Sequence, residues 1–321
     1  MTVIQFQGES VTLTEGESVL DGLLRQGHQI PHGCRAGVCQ SCVVEAAEGD
    51  NVSSAQAGLS DNQVRLNQFL SCQCIPRESL SVNLVDINEQ KTPAQVVDKS
   101  WLSDQVIRLR LKASLSYFPG QYVTLWKDEA IARSYSLASV DADGFLEFHI
   151  RHYPEGVFSS WVAEALNVGE TLYLQGPMGK CFYSAEPSQP LLLAAIGTGL
   201  APVYGILRDA LSQFHNGPIT LVIGAKDTTG LYLIDELMEI ARRHDNVSIH
   251  IVAQQEAGVE APVQVGDIYQ YIKGLLPDMN GYRVFLCGAE SFVTKMRKQC
   301  FLAGAGMSAI SADVFLHFAD D

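Results

Sequence analysis

The sequence predicts a multidomain chain, α+β at its start, an antiparallel β-barrel in its middle and parallel α/β at its end, and three observations predict it. The chain has 321 residues with 47% apolar and 18% charged side chains, enough for two or three separate cores. The hydrophobic pattern changes twice: short strands with one helix, then recurring short strands, then strands alternating with helices. The turn and linker signals fall at those changes, which places the units at residues 1–88, 94–185 and 187–321.

In the first unit, Val3 to Phe6 and Ser10 to Thr14 read as strands. Ser18 then caps a helix with Asp21 at its third position. Val19, Leu20, Leu23 and Leu24 form its apolar stripe, and Gly27 stops it. Strands follow at Cys42 to Ala47 and Ser81 to Val85, and the polar run Asp86 to Pro93 reads as a linker. The second unit carries apolar or alternating runs at Val106 to Leu111, Tyr122 to Trp126, Phe145 to Arg151 and Thr171 to Gln175. Pro119-Gly120, Asp143-Gly144 and Gly176-Pro177 turn the chain between them, the pattern of an antiparallel barrel. In the third unit, Leu191 to Ile196, Ile219 to Ala225, Val247 to Val252 and Arg283 to Cys287 read as strands. The helices between and after them are an apolar stripe through Val203, Ile206, Leu207, Ala210, Leu211 and Phe214, then Leu231 to Arg243 and Ala289 to Ala303. Such alternation builds a parallel sheet with right-handed crossovers.

Four cysteines carry the first chemical signal: Cys34, Cys39 and Cys42 in a C-x4-C-x2-C run, then Cys72. That is the plant-type spacing for a [2Fe-2S] cluster, three thiolates in one loop and a distant fourth closing the other iron. Gly33 and Gly37 flank the loop and tolerate positive φ, which lets N–H groups turn toward the cluster. Zinc tetrathiolates pair two close knuckles, whereas only one is present here. A disulfide framework is the other reading of eight cysteines, but the chain opens without a cationic, apolar signal region, so a reduced, cytoplasmic protein is expected. Cys74 competes as fourth ligand; Leu70-Ser71-Cys72-Gln73 resembles the L-x-C-Q segment of ferredoxins and favours Cys72.

The second signal is Arg133-Ser134-Tyr135-Ser136-Leu137 on one strand. An arginine can clamp a pyrophosphate, an aromatic can stack on a flavin ring and a hydroxyl can approach its reactive nitrogen, so FAD is expected. Taken alone, this is also an ordinary strand. His149-Ile150-Arg151 and Gly156 to Ser159 follow where a second flavin segment belongs, with a helix N-terminus available for phosphate. The third signal is Gly197-Thr198-Gly199-Leu200-Ala201-Pro202 between an apolar strand and a helix, where a dinucleotide pyrophosphate sits. Cys287-Gly288 ends a later strand at the same sheet edge; its thiol either faces a nicotinamide or is a buried structural cysteine. Lys226-Asp227 ends the second strand, where a carboxylate favours a free ribose 2′-hydroxyl and a cation a 2′-phosphate.

Together these segments resemble the reductase components of bacterial multicomponent oxygenases, of the naphthalene and benzoate dioxygenase reductase type. The resemblance spans the whole chain and implies an N-terminal β-grasp ferredoxin domain, a central FAD-binding β-barrel and a C-terminal nicotinamide-nucleotide domain. It implies cluster ligation by Cys34, Cys39, Cys42 and Cys72, with FAD contacts at Arg133, Tyr135, Ser136, Leu137, His149, Ile150, Arg151, Gly156 and Ser159. Nucleotide contacts are implied at Gly197, Thr198, Gly199, Pro202, Asp227, Cys287 and Gly288, with Ser136 and Cys287 nearest the reacting atoms. Asp313-Val314-Phe315 resembles the family's D-x-F ending, which puts Phe315 near the flavin, although Phe318 lies close behind and both rings suit plain packing.

The implied function is electron transfer from NADH, in preference to NADPH, through FAD and the cluster to a protein acceptor. An oxygenase or its ferredoxin is the expected partner, and the protein is expected to be a monomer. A reductase for a deoxysugar (3,4-glucoseen) dehydrase is the nearest alternative; a non-catalytic redox-sensing or zinc-binding interaction protein is the alternative of another class. The formal charge of −14 disfavours nucleic acid and anionic membrane surfaces. No apolar run reaches the roughly 18 to 20 residues that cross a bilayer.

Overall fold

In the computed structural model, which describes residues 2–59, 61–85, 91–255 and 262–316, the apolar alternation at the start of the chain folds into a hairpin. Its strands are β1 (Thr2–Phe6) and β2 (Glu9–Leu13), antiparallel, with Ile4, Phe6, Val11 and Leu13 turned inward. Helix α1 (Val19–Arg25) follows, and Ser18 caps it by accepting from the Asp21 amide. Strand β3 (Val43–Ala46), helix α2 (Asp61–Arg65), β4 (Gln68–Leu70) and β5 (Ser81–Leu84) complete a five-stranded sheet of order β2-β1-β5-β3-β4. Leu20, Leu23, Val44, Phe69 and Val82 share its core. Each fully buried side chain of this kind contributes about 1.5–3 kcal/mol.

Two compact units divide the chain. The first holds Met1–Pro93 with Thr124–Ser134 and Leu172–Gln175, and the second holds the remainder. The central sheet comprises β6 (Thr92–Ser103), β7 (Val106–Lys112), β8 (Tyr122–Trp126), β9 (Ala132–Ser136), β10 (Leu146–Arg151) and β11 (Thr171–Met178). Its order is β10-β7-β6-β11-β8-β9, and β7 runs antiparallel to both β6 and β10. Helix α3 (Val157–Glu164) lies between β10 and β11 in sequence.

The last sheet is wholly parallel. Strands β12 (Leu191–Ile196), β13 (Ile219–Ala225), β14 (Val247–Ala253), β15 (Val263–Val265), β16 (Arg283–Ala289) and β17 (Ile310–Phe315) lie in the order β15-β14-β13-β12-β16-β17. The connecting helices are α4 (Leu200–Ser212), α5 (Ile234–Arg243), α6 (Ile268–Leu275) and α7 (Glu290–Leu302). Leu192 to Ala195, Leu221 to Ile223 and Val284 to Cys287 are almost fully buried, as both faces of a doubly covered sheet require. The strand order reverses at β12, whose neighbours are β13 and β16, and this is where such sheets open a ligand crevice.

The fold follows the predicted class, with local departures. The end of the predicted linker, Thr92 and Pro93, opens the twelve-residue β6, while residues 86–90 lie outside the described part. Helix α4 stops at Ser212, and Phe214 sits at φ +59 with its ring 87% exposed, so it leaves the predicted stripe. Helix α5 begins three residues later than predicted: Leu231, Tyr232 and Leu233 are buried outside it, with Leu233 at φ +57. Strand β17 and helix α6 are too short and too mixed in pattern to stand out in the sequence.

Candidate cofactor sites

The cysteine loop lies between α1 and β3. Cys34 Sγ accepts the backbone N–H groups of Ala36, Val38 and Cys39 at 3.3–3.4 Å, so the chain wraps the sulfur with amide donors. Arg35, Gly37 and Gln40 turn it through positive φ values of 45°, 79° and 55°. Gly37 obeys the expectation; Gly33 does not adopt positive φ and serves a close approach instead. Cys72 follows β4 in a 3-10 turn held to Cys42 by the Ser71 amide and hydroxyl, which both donate to the Cys42 carbonyl. Gln73 Nε2 donates to Cys72 Sγ at 3.3 Å and to the Arg35 carbonyl at 3.1 Å.

The four sulfurs form two pairs. A hydrogen bond from the Cys39 thiol, helped by the backbone amides, draws Cys34 down to about 5, and one from Cys42 draws Cys72 down to about 7. Their donors, Cys39 and Cys42, are buried and pushed up in consequence. Among the described residues no three or more Cys, His, Asp or Glu side chains surround a single-ion position. Two thiol pairs with amides aimed at their sulfur suit a cluster of two irons, one pair to each. Cys74 belongs to the apolar core of the same unit, where burial pushes its thiol up to about 11.

Strand β9 carries the R-x-Y-S motif. Arg133 Nη1 donates to the Ala132 carbonyl, and the Tyr135 ring lies 5.4 Å from that of Phe158. Ser136 Oγ donates to Asp313 Oδ2 at 2.6 Å. Asp313 is half-buried, and desolvation of its carboxyl raises it to about 6 against the pull of that hydroxyl. The backbone of Leu137 pairs with Gly120 and Gln121. On β10, Ile150 is buried among apolar side chains and His149 is locked in a polar chain: Nε2–H donates to Glu147 Oε1 at 3.0 Å, and Nδ1 accepts from the Tyr232 hydroxyl at 3.2 Å. Burial pushes His149 down and keeps it neutral. Burial also opposes ionisation of Glu147, yet the His149 hydrogen bond and the Arg110 guanidinium bring it to about 2.

Gly156 is the N-cap of α3, and Lys99 Nζ caps the other end by donating to the carbonyls of Val162, Ala163 and Leu166. The Ser159 hydroxyl is engaged with the backbone of Tyr153, accepting from its amide and donating to its carbonyl.

At the carboxyl edge of the parallel sheet a cleft of about 530 Å³ opens, lined among others by Arg151, Thr198, Asp227, Gln254, Tyr269 and Phe315. Gly197 is at φ +54 and Pro202 is buried in the first turn of α4. Gly199 has no room for a side chain, since an added Cβ would fall on the carbonyl of Cys287. Asp227 caps the 3-10 turn Thr228–Gly230, and the hydroxyl and amide of Thr229 hold its carboxyl below the usual range. Cys287 is fully buried with Sγ 3.7 Å from Cys181 Sγ, and burial pushes its thiol up; it does not line the cleft. Gly288 beside it takes φ +136, and Phe315 reaches the cleft wall. Phe318 lies outside the described residues. The cleft also uses Gln105, which accepts from Arg151 Nη2, as well as Tyr153 and Asp267. None of these has a local motif that singles it out, and the D-x-F resemblance that includes Asp313 points to Phe315 and not to the carboxylate.

Fold and sites together define a flavin- and nicotinamide-dependent iron–sulfur oxidoreductase. Three family models match in this order: a 2Fe-2S iron-sulfur cluster binding domain over residues 4–77, an oxidoreductase FAD-binding domain over 93–183 and an oxidoreductase NAD-binding domain over 193–298. The chain is 32% identical to the toluate 1,2-dioxygenase electron transfer component of Pseudomonas putida, covering 87% of this chain and 86% of that one. It is 28% identical to the reductase component of the naphthalene 1,2-dioxygenase system of Pseudomonas putida, over 98% of both. Among solved structures, the cytochrome P450 reductase GcoB of Amycolatopsis superposes with a TM-score of 0.69 at 26% identity, covering 99% of each chain. The chain belongs to the family of ferredoxin–NAD(P) reductase components of oxygenase systems. It is a NAD(P)H-dependent oxidoreductase with [2Fe-2S], FAD and nicotinamide-nucleotide sites. No helix among the described residues is long and apolar enough to cross a membrane.

Proposed function

We propose that this protein takes electrons from NADH and delivers them one at a time to a ring-hydroxylating dioxygenase, its ferredoxin, or a diiron monooxygenase. The observation that carries the reading is the presence in one chain of two donor-wrapped thiol pairs and a nucleotide cleft whose wall includes Arg151 and Phe315. FAD and the nucleotide supply hydride chemistry and the cluster supplies single-electron chemistry; the protein binds, orients and insulates them. Cys34 and Cys39 would hold one iron, Cys42 and Cys72 the other. Arg133 and Arg151 would bind flavin phosphate, with the amides at the start of α3 beside Gly156. Tyr135 would stack on the ring system, and the polypeptide at Leu137, His149 and Ile150 would shape its edge. Ser136 donates to Asp313, and its hydroxyl would lie beside the flavin where the nicotinamide arrives.

The glycines at 197 and 199, Thr198 and Pro202 would receive the nucleotide pyrophosphate. Asp227, pinned by Thr229, favours a free 2′-hydroxyl and therefore NADH. The domain limits 1–88, 94–185 and 187–321, a monomeric state and a cytoplasmic setting complete the reading; none of the eight cysteines is paired in a disulfide, which suits a reducing compartment. An anaerobic NADH titration followed by visible and EPR spectra tests it. Flavin bleaching with the appearance of a reduced-cluster signal is expected, with NADPH giving the lower kcat/KM. Absence of a cluster signal after reconstitution would refute the relay, and a higher kcat/KM for NADPH would refute the role of Asp227.

A further inference from the structure

Thr124 breaks the apolar run Val123 to Trp126 of β8 with a hydroxyl that is completely buried. A buried hydroxyl is costly unless paired, and this one is paired twice. Its Oγ1–H donates to the carbonyl of Cys39 at 2.9 Å, and Ser134 Oγ lies 3.1 Å away. A hydroxyl has one proton to give, so Ser134 is the donor to Thr124. Both ends of the chain are informative: Cys39 belongs to the thiolate run, and Ser134 is the second residue of the flavin motif on β9. The same two stretches meet again nearby. His32 forms a parallel bridge with Ile131, and a Cβ on Gly33 would lie 3.2 Å from the Ala132 carbonyl and 3.4 Å from Cys39 Sγ.

We propose that Thr124 is a positioning residue for flavin-to-cluster electron transfer: it seats the Cys39 end of the ligand loop on the flavin-motif strand and completes a hydrogen-bonded route Ser134–Thr124–Cys39. The inference rests on the relay described above. Electron tunnelling decays steeply with separation and is carried better through a hydrogen bond than through a van der Waals gap. Replacing the hydroxyl by a methyl opens the route at both ends and leaves the Cys39 carbonyl without this partner. A residue of this kind acts on one step only, since the nucleotide cleft does not use Thr124.

Rapid mixing of the holoprotein with NADH separates flavin reduction from the later reduction of the cluster. In Thr124→Val the second phase slows about ten-fold or more while the first stays within about two-fold, and Thr124→Ser restores the second phase. Hydrogen exchange of the peptide spanning Cys34 to Cys42 provides a readout independent of turnover: it quickens in the valine variant and not in the serine variant. Should Thr124→Val fail to load its cluster, Thr124→Ala takes its place. A wild-type cluster that NADH cannot reduce would sink the relay itself. A wild-type cluster that is reduced, with the same second-phase rate in the valine or alanine variant, overturns the role of Thr124 alone.

Discussion

The cysteine loop and the nucleotide cleft solve the same problem, holding a redox group, with opposite economies of sequence. The loop draws three of its four thiols from nine consecutive residues and surrounds Cys34 with amides from that same stretch. The cleft is assembled from the ends of strands and turns scattered between Gln105 and Phe315. A local site depends on spacing and backbone turn geometry, so it is legible and intolerant of change at a few positions. A dispersed site depends on sheet order, so its residues look ordinary until the strands are placed side by side.

The largest expected effect breaks the local site. Cys72→Ser removes one sulfur of a pair and abolishes the cluster absorbance and EPR signal. Cys74→Ser keeps both signals and costs about 1–3 kcal/mol of stability, because a hydroxyl replaces a thiol in an apolar core. The reverse result would transfer the fourth-ligand role to Cys74. Next comes the backbone of the dispersed site. Gly199→Ala drives a methyl onto the Cys287 carbonyl and is expected to cost more than about 3 kcal/mol, measured by chemical denaturation, with weakened NADH binding in a direct titration. Unchanged binding would mean that the β12–α4 turn does not set the pyrophosphate position.

The smallest effect sharpens the comparison through pH. Asp313 is raised by burial from 3.8 to about 6. The native state therefore keeps a proton that the unfolded chain has already released. Its stabilising contribution is full below about pH 4 and is lost as pH rises through 6. Asp313→Asn lacks this titration, so the stability difference between variant and wild type should move by about 3 kcal/mol between pH 4 and pH 7, in favour of the variant at the higher pH. Parallel pH profiles for the two proteins would show that Asp313 is not desolvated.

The boundary between local and tertiary information falls at particular residues. Ser18 and Asp21 announced the cap of α1 because capping is a contact between neighbours in sequence. Phe214 fitted a helical stripe and yet left the helix, since a single positive φ reverses the chain after Ser212. Ser136 stands out by its motif, whereas its partner Asp313 lies 177 residues away in a D-x-F ending that says nothing of this contact. Cys287 falls in the strand its sequence predicts, but its thiol turns toward Cys181 instead of the cleft.

The sequence by itself determined the three-part order of folds, the cluster spacing, the flavin motif and the glycine turn after β12, because each is a local pattern whose physics is complete within a few residues. Only the tertiary structure decided that Asp313 meets Ser136, that Cys74 is core and that Thr124 reaches the Cys39 carbonyl. Those outcomes depend on which strands become neighbours and how deeply a polar group is buried, and neither quantity exists until the sheets have formed.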